Sequence, residues 1–281
     1  MLRERVSEDI YVFTSEVYAQ VTAGIIATPD GAIVVDTLPF PGESRQVAAF
    51  AAHVSPGGAR YVVLTHYHAD HAYGAYLFPK ADLVAHQRAR RLLAEVGAPA
   101  LKAAQAEAPE LEEVRLRLPD ITFEGGDMGL QLGGKVVRLI HAPGHTDDMV
   151  MVYAEDAHVL FASDTLMPVP SVVDGDVDAL RASLRFIDEL QVENLVEGHG
   201  EVILRGEVSE VVQASIKYLD CIETRVAKVV EAGKGREPLG KITVELCGLS
   251  RIPLGGLVQQ IHMANLFALY NRMLAAQGRA A

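Results

Sequence analysis

Cysteine is nearly missing from this chain: among 281 residues only Cys221 and Cys247 occur. Two cysteines so far apart in sequence fit no disulfide framework and are compatible with a reducing cytosol. Positive charge is also in short supply. Lys and Arg number 25 against 37 Asp and Glu, a formal net charge of −12. Polyanions such as RNA or DNA are repelled by such a balance unless a local basic stripe intervenes. The densest basic cluster, Arg88, Arg90 and Arg91, reads instead as the solvated face of a helix. No apolar run approaches the roughly 20 residues of a membrane span. The opening Met1-Leu2-Arg3-Glu4-Arg5 is too charged for a signal peptide. Gly-x-Ser-x-Gly does not occur, which removes the usual elbow for a serine nucleophile. These absences predict a soluble, cytoplasmic protein with a small-molecule substrate and neither nucleic acid nor membrane as partner.

What the chain does have is ligand chemistry in an unusual density. His66-Tyr67-His68-Ala69-Asp70-His71 directly follows Tyr61-Val62-Val63-Leu64-Thr65, whose first four residues read as a buried strand. Three imidazoles and a carboxylate therefore sit where a strand ends and the chain turns, an edge from which a rigid scaffold can fan side chains toward one point. A lone His-x-His is usually an ordinary polar turn; four ligand-type residues in such a short run are not. Three distant residues repeat the placement. Val136 to Ile140 precedes His145, Val159 to Ala162 precedes Asp164, and Leu195-Val196 precedes His199. Imidazole and carboxylate suit zinc, iron and manganese.

In these motifs the chain resembles the metallo-β-lactamase superfamily, whose hallmark is His-x-His-x-Asp-His followed by an isolated His, an Asp and a His. All five family motifs find a counterpart: Asp36 in Val34-Val35-Asp36-Thr37, the 66–71 cluster, His145, Asp164 and His199. The resemblance covers roughly residues 10–206, boundaries being the coarsest part of such a reading. It implies an α/β fold, the αββα four-layer sandwich, over residues 1–206. Residues 207–281 are then a C-terminal helical extension, packed on the domain or at a homodimer interface. It also implies two divalent metal ions, with zinc the first choice and iron or manganese the alternatives. One ion is held by His66, His68 and His145 and the other by Asp70, His71 and His199, with Asp164 bridging them. Asp70 is in addition the expected catalytic proton carrier. An aspartate at position 164, where several true zinc β-lactamases place a cysteine, resembles the glyoxalase II, lactonase and phosphodiesterase branches. Hydrolysis of β-lactams is thus at most a side activity.

Such a centre supplies a bridging hydroxide near neutral pH and polarises a carbonyl. The expected function is hydrolysis of an ester, lactone or thioester. Two alternatives share the motifs: a phosphodiesterase or nuclease on the same dinuclear site, and a sulfur dioxygenase using a single iron. Tyr67, Tyr73 and Leu166 to Pro170 are candidate pocket residues. His141 and His86 are candidates for support behind the ligands, whereas His53, His158 and His262 read as packing or turn residues.

The secondary-structure pattern begins as a β-meander, with strands at 10–13, 17–21, 24–28 and 32–36. Helical periodicity spans 43–53 and a stop follows at Pro56-Gly57-Gly58. Short strands at 61–64 and 81–85 precede helical sequence at 87–96. Residues 97–120 read either as a helical insertion over the site or as a surface connection. Strands dominate from 121 to 161; a helix capped by Asp176 or Asp178 runs to Glu189, and a strand at 194–197 delivers His199. Apolar-faced helices at 208–232 and 257–276 complete the chain, and 242–246 is open between a helical turn and a stray strand.

Overall fold

A computed structural model describes residues 1–278, and these form two facing sheets with helices outside both. The first sheet has seven strands in chain order: β1 (Leu2–Arg5), β2 (Ile10–Thr14), β3 (Thr22–Thr28), β4 (Gly31–Val35), β5 (Ala59–Val63), β6 (Asp82–His86) and β7 (Ile121–Phe123). Its first half is an antiparallel meander, and from β4 to β7 the pairing is parallel. The second sheet has six strands: β8 (Asp127–Leu132), β9 (Lys135–His141), β10 (Val150–Ala154), β11 (Val159–Ser163), β12 (Asn194–Glu197) and β13 (Val202–Leu204). Here β11 and β12 form the parallel pair, which requires the crossover helix between them.

Helix α1 (Pro41–Val54), the short α2 (Ala69–Ala72), α3 (Gln87–Leu92) and α4 (Ala98–Glu107) belong to the first half. The second half supplies α5 (Val177–Ile187), α6 (Arg205–Glu231) and α7 (Leu257–Ala276). Strand alternation sorts the apolar residues into layers. In β4, Ile33 and Val35 face the second sheet while Ala32 and Val34 face α1. In β10, Val150, Val152 and Ala154 face the first sheet while Met151 and Tyr153 face the outer helices. Continuous apolar strands of this kind are the signature of a sheet buried on both faces. The four layers are therefore helix, sheet, sheet, helix, as the sequence led one to expect.

Residues Val212, Leu219, Val226, Val258, Leu266 and Leu269 share one apolar cluster with Leu160, Ala162 and Leu195 of the second sheet and with Leu180 and Leu184 of α5. Each such side chain, buried, contributes roughly 1.5–3 kcal/mol. Thus α6 and α7 complete the outer layer of the second sheet and have no core of their own. No described helix is long and apolar enough to cross a membrane.

Several local expectations fail for identifiable reasons. Residues 17–21 do not form a strand: Ser15 Oγ accepts from the amides of Val17 and Tyr18, and Ala19 and Gln20 adopt positive φ, turning the chain. The edge strands β1 and β13 were missed because their patterns carry no buried face of their own. Residues 245–247 are a single 3₁₀ turn. The cysteines are a correction of substance. Cys221 in α6 and Cys247 are disulfide-bonded, with Cα atoms 5.4 Å apart. The chain leaves α6, passes through two 3₁₀ turns and returns alongside it, so sequence separation was no guide to distance. The argument for a reducing compartment that rested on unpaired thiols falls with it.

The space between the sheets sets a steric test. Gly24 of β3 faces the Phe161 ring so closely that a Cβ would lie 2.2 Å from its Cε1. Gly24→Ala is expected to destabilise the fold by about 1–3 kcal/mol in urea denaturation, the usual range for overpacking. Adding Phe161→Leu should recover part of the loss; a neutral Gly24→Ala would show that the sheets can separate locally.

Candidate metal centre

Parallel strands end together, and this puts the polar residues of the chain at one edge. Asp36 follows β4, Thr65 and His66 follow β5, Asp164 follows β11, and His199 follows β12 by one residue. His145 comes from the turn between β9 and β10. The Asp36 carboxylate, buried and in a strained positive-φ conformation, accepts from both the Thr65 amide (2.9 Å) and the Thr65 hydroxyl (2.8 Å). It thereby fixes the start of the segment carrying His66, His68, Asp70 and His71. That segment continues as α2, with His68 as the residue before its first turn.

The seven side chains converge in two adjoining groups. In the first, His145 Nε2 lies 3.0 Å from His68 Nδ1 and 3.2 Å from Asp164 Oδ2, and His66 Nε2 lies 3.8 Å from the same oxygen. In the second, His199 Nε2 lies 3.3 Å and His71 Nε2 3.9 Å from Asp70 Oδ2. Asp164 also reaches this group, Oδ1 being 3.3 Å from His71 Nε2 and Oδ2 3.6 Å from His199 Nε2. One carboxylate thus touches both sets. Within each set the candidate donor atoms lie within 4.8 Å of one another, Asp164 falling in the first.

Each imidazole is oriented through its other nitrogen. His71 Nδ1 meets Asp36 Oδ2 at 2.8 Å, and His199 Nδ1 meets the Ala19 carbonyl at 2.9 Å. His145 Nδ1 meets the Ser171 carbonyl at 3.1 Å, and His68 Nε2 lies 3.4 Å from Asp174 Oδ2. Thr65 spends its hydroxyl proton on Asp36, so its oxygen accepts from His66 Nδ1 at 3.1 Å. An outer nitrogen that donates leaves the inner nitrogen with a free lone pair, the tautomer a metal requires. Three buried atoms at the centre, His66 Nε2, His71 Nε2 and Asp164 Oδ1, have no hydrogen-bond partner. Desolvated polar atoms turned to a common point without partners are costly unless a cation joins them. The donor set fits divalent metal on this ground.

Electrostatics say the same. Burial would raise the Asp164 carboxyl, but His199, His71 and His145 outweigh it and hold it well below the ordinary carboxylate value. Asp70 is also held low, by His71 and His199 against burial. Conversely, burial opposes the charge on His199, yet Asp164 and Asp70 push it up to about 10; His71 is likewise held high, against burial, by Asp164, Asp36 and Asp70. His145 goes the other way, lowered by burial to about 4. In the metal-free protein at neutral pH, protons on His71 and His199 provide the positive charge that the two carboxylates demand.

Close packing leaves no room behind Asp164. A Cβ on Gly198 would lie 1.9 Å from Asp164 Oδ1. Alongside it the two sheets are tied: Thr22 donates from its amide to the Gly198 carbonyl (2.9 Å) and from its hydroxyl to the Glu197 carbonyl (2.6 Å), and Val21 bridges to His199. Val150 of β10 donates to the Thr65 carbonyl at 2.8 Å.

The other histidines separate as follows. His86 and His141 stack on each other, centroids 4.0 Å apart; their hydrogen bonds go to the Arg88 amide and the Asp147 carbonyl. They support each other, and no hydrogen bond joins them to the seven. His262 is buried between Tyr218 and the Ile242 carbonyl, His158 meets Tyr153 at a turn, and His53 lies in the last turn of α1. Tyr67 packs on His68, and its phenol is pushed up to about 12 by burial with Asp174 and Asp148 nearby. Tyr73 is buried under Leu101, Leu111 and Val114 of the 97–120 segment, which so packs against the end of α2. Of Leu166 to Pro170, Leu166 and Val169 belong to the outer apolar cluster. Asp174 and Tyr18 escaped the sequence reading. Tyr18, in the turn before β3, is held above its ordinary value by partial burial and by Asp70 and Asp164.

Comparison with known proteins agrees with this architecture. The family described as the metallo-beta-lactamase superfamily matches residues 18–199. Among curated proteins, the chain is similar to the beta-lactamase-like protein 2 homolog of Caenorhabditis elegans, 24% identical over 222 residues, spanning 78% of this chain and 68% of that protein. It is also 30% identical over 108 residues to a hydroxyacylglutathione hydrolase of Rhodopseudomonas palustris, but this covers only 38% of the chain and 34% of the relative. Among solved structures, a metallo-beta-lactamase from Pontibacter korlensis superposes with a TM-score of 0.61 at 18% identity over 75% of this chain and 98% of its own. The sec-alkylsulfatase Pisa1 from Pseudomonas sp. gives 0.71 at 16% identity over 97% of this chain, and half of its own. At such identities the structures speak for the fold alone.

Two expected outcomes follow from the geometry. Zinc must displace the protons on His71 and His199, so uptake at pH 7 should release protons and binding should tighten as pH rises toward about 10, where His199 loses its proton unaided. Calorimetry in buffers of differing ionisation enthalpy reads the release directly; uptake without it would mean both imidazoles are already neutral. Separately, Gly198→Ala should lower metal content by displacing Asp164 while the circular dichroism of the fold is retained.

Proposed function

This chain belongs to the metallo-β-lactamase superfamily, and from that premise we propose that it is a dinuclear metal-dependent hydrolase of small carbonyl compounds: esters, lactones or thioesters. The observation that carries the reading is Asp164, one buried carboxylate within reach of inner nitrogens from both groups. His66, His68 and His145 would hold one ion, and Asp70, His71 and His199 the other. Two bound cations supply a water deprotonated near neutral pH and a Lewis acid for the carbonyl oxygen.

The residues of the chain do the rest. Asp70 is the carboxylate of the pair that solvent reaches, 17% exposed against 4% for Asp164, which supports a role for it in passing a proton to the departing group. Tyr18 and Tyr67, both raised further above the ordinary phenol value by burial and nearby carboxylates, present protonated phenols on the Asp70 and His68 sides of the centre. The acidic charge of the chain works against nucleic acid. The hydroxyacylglutathione hydrolase relative supports inclusion of thioesters.

The test is metal analysis joined to a panel of ester, lactone, thioester, phosphodiester and β-lactam substrates. Two metals per chain and turnover of the carbonyl members, lost on chelation and restored by zinc, is the expected result. Asp70→Asn should lower kcat by on the order of 10²–10⁴ while the fold persists. A protein fully loaded with a single iron and indifferent to His199→Ala would move the reading to the dioxygenase. Preference for phosphodiesters would move it to the nuclease branch.

A further inference from the structure

Apart from His66, which leans on Thr65 and through it on Asp36, the histidines of the two groups are supported from different parts of the chain. In the second group the outer nitrogens are held by Asp36, at the end of β4, and by the Ala19 carbonyl, in the turn before β3. In the first group, His145 and His68 both lean on one short segment between β11 and α5. Ser171 offers its carbonyl to His145, and Asp174 its carboxylate to His68.

That segment is held from behind by α7. Asn265, fully buried, accepts from the Val172 amide at 2.9 Å and donates to the Pro170 carbonyl at 2.7 Å. Its second amide hydrogen goes to the Tyr218 hydroxyl of α6, at 3.1 Å. Tyr218 in turn meets His262 Nδ1 at 3.0 Å, and His262 Nε2 donates to the Ile242 carbonyl at 2.8 Å. Every donor in this chain of groups finds one acceptor, which fixes the side-chain amide and the imidazole tautomer together. Seven residues on from Asn265, two turns along the same helix, Arg272 donates to the carbonyls of Val172 and Val173, each at 2.6 Å.

The geometry is selective about which groups face which way. Over residues 170–172 successive carbonyls turn to opposite sides, before the chain bends at Val173. Pro170 and Val172 turn theirs to α7, and the Ser171 carbonyl between them turns to His145. A clamp on the first two therefore sets the third. Val169 and Val172, buried in the outer cluster, stop the segment from sliding.

We propose that Asn265 and Arg272 are positioning residues for the His66–His68–His145 metal position, so that the C-terminal helix sets the affinity of one of the two sites and not the other. This rests on the dinuclear reading above. Loss of a group behind a ligating histidine typically weakens metal binding about 10–100-fold. The effect here should fall on one equivalent alone.

The experiment compares wild type, Arg272→Ala, Arg272→Lys, Asn265→Ala and Asp36→Asn, each loaded from a zinc buffer series. Bound metal is counted by elemental analysis, and long-range ¹H–¹⁵N spectra of the imidazoles separate ligating from free nitrogens residue by residue. Arg272 is at the edge of the core, so Arg272→Ala should fold even where Asn265→Ala does not; circular dichroism of the metal-free proteins checks this. Arg272→Ala is expected to weaken zinc at His145 and His68 about 10–100-fold with His71 and His199 unaffected. Arg272→Lys should restore much of the loss, whereas Asp36→Asn, which loosens Thr65 behind His66 as well as His71, should weaken both positions. Folded Arg272→Ala with unchanged affinity, or with both positions weakened alike, overturns the proposal. Wild type that never binds a second zinc would instead overturn the dinuclear reading, and is told apart by needing no variant.

Discussion

The rest of the structure answers to a carboxylate taken out of water. Asp164 is buried at the meeting of two sheets, where an isolated charge would cost many kcal/mol. Its surroundings repay that cost only if positive charge is supplied, by protonated imidazoles or by metal. Of the four imidazole nitrogens within 4 Å of its oxygens, those of His71 and His199 provide the first, and the lone pairs of all four, once those two protons leave, serve the second. The same atoms thus stabilise the metal-free fold and prepare the metal-bound one. The outer hydrogen bonds on each ring make the exchange a change of occupant and not of structure.

The scaffold produces this convergence because parallel strands share an end. Residues 36, 65, 164 and 199 are far apart in the chain, yet each follows a strand paired in parallel with another: β4 with β5, and β11 with β12. The sandwich then presses the two ends together through Thr65, whose hydroxyl touches Asp36, His66 and the Ser163 hydroxyl at 2.8 Å. One small side chain so links both halves.

The seven polar side chains were legible because side-chain identity carries their chemistry and strand ends announce their location. The layered architecture was legible through the family resemblance those motifs carry, with which the order of strands and helices agrees. What supports the ligands was much less so. The Ser171 and Ala19 carbonyls belong to the backbone, which every residue has, and no letter in the sequence marks them. Asp174 sits in a connector that reads like any turn. The false strand at 17–21 had the right composition, but Ser15 competes for its amides. Cys221 and Cys247 were judged by their separation along the chain, whereas the turn between α6 and α7 brings them side by side. Asn265 and Arg272 lie in a helix whose apolar face explained it completely, leaving nothing to suggest that its polar residues had work to do.

The tie between Thr22 and residues 197–198, with Val21 bridging to His199, bears on how such a protein can change. Sheets laced together beside the reacting centre cannot slide to widen it for a larger guest. Accommodation is left to side chains of the turns at 15–20 and 166–176 other than Asp174, since the Ala19 and Ser171 carbonyls and the Asp174 carboxylate hold the histidines. Appetite can drift in lineages while the furnace stays fixed, and a binding preference can be rewritten without relearning the reaction.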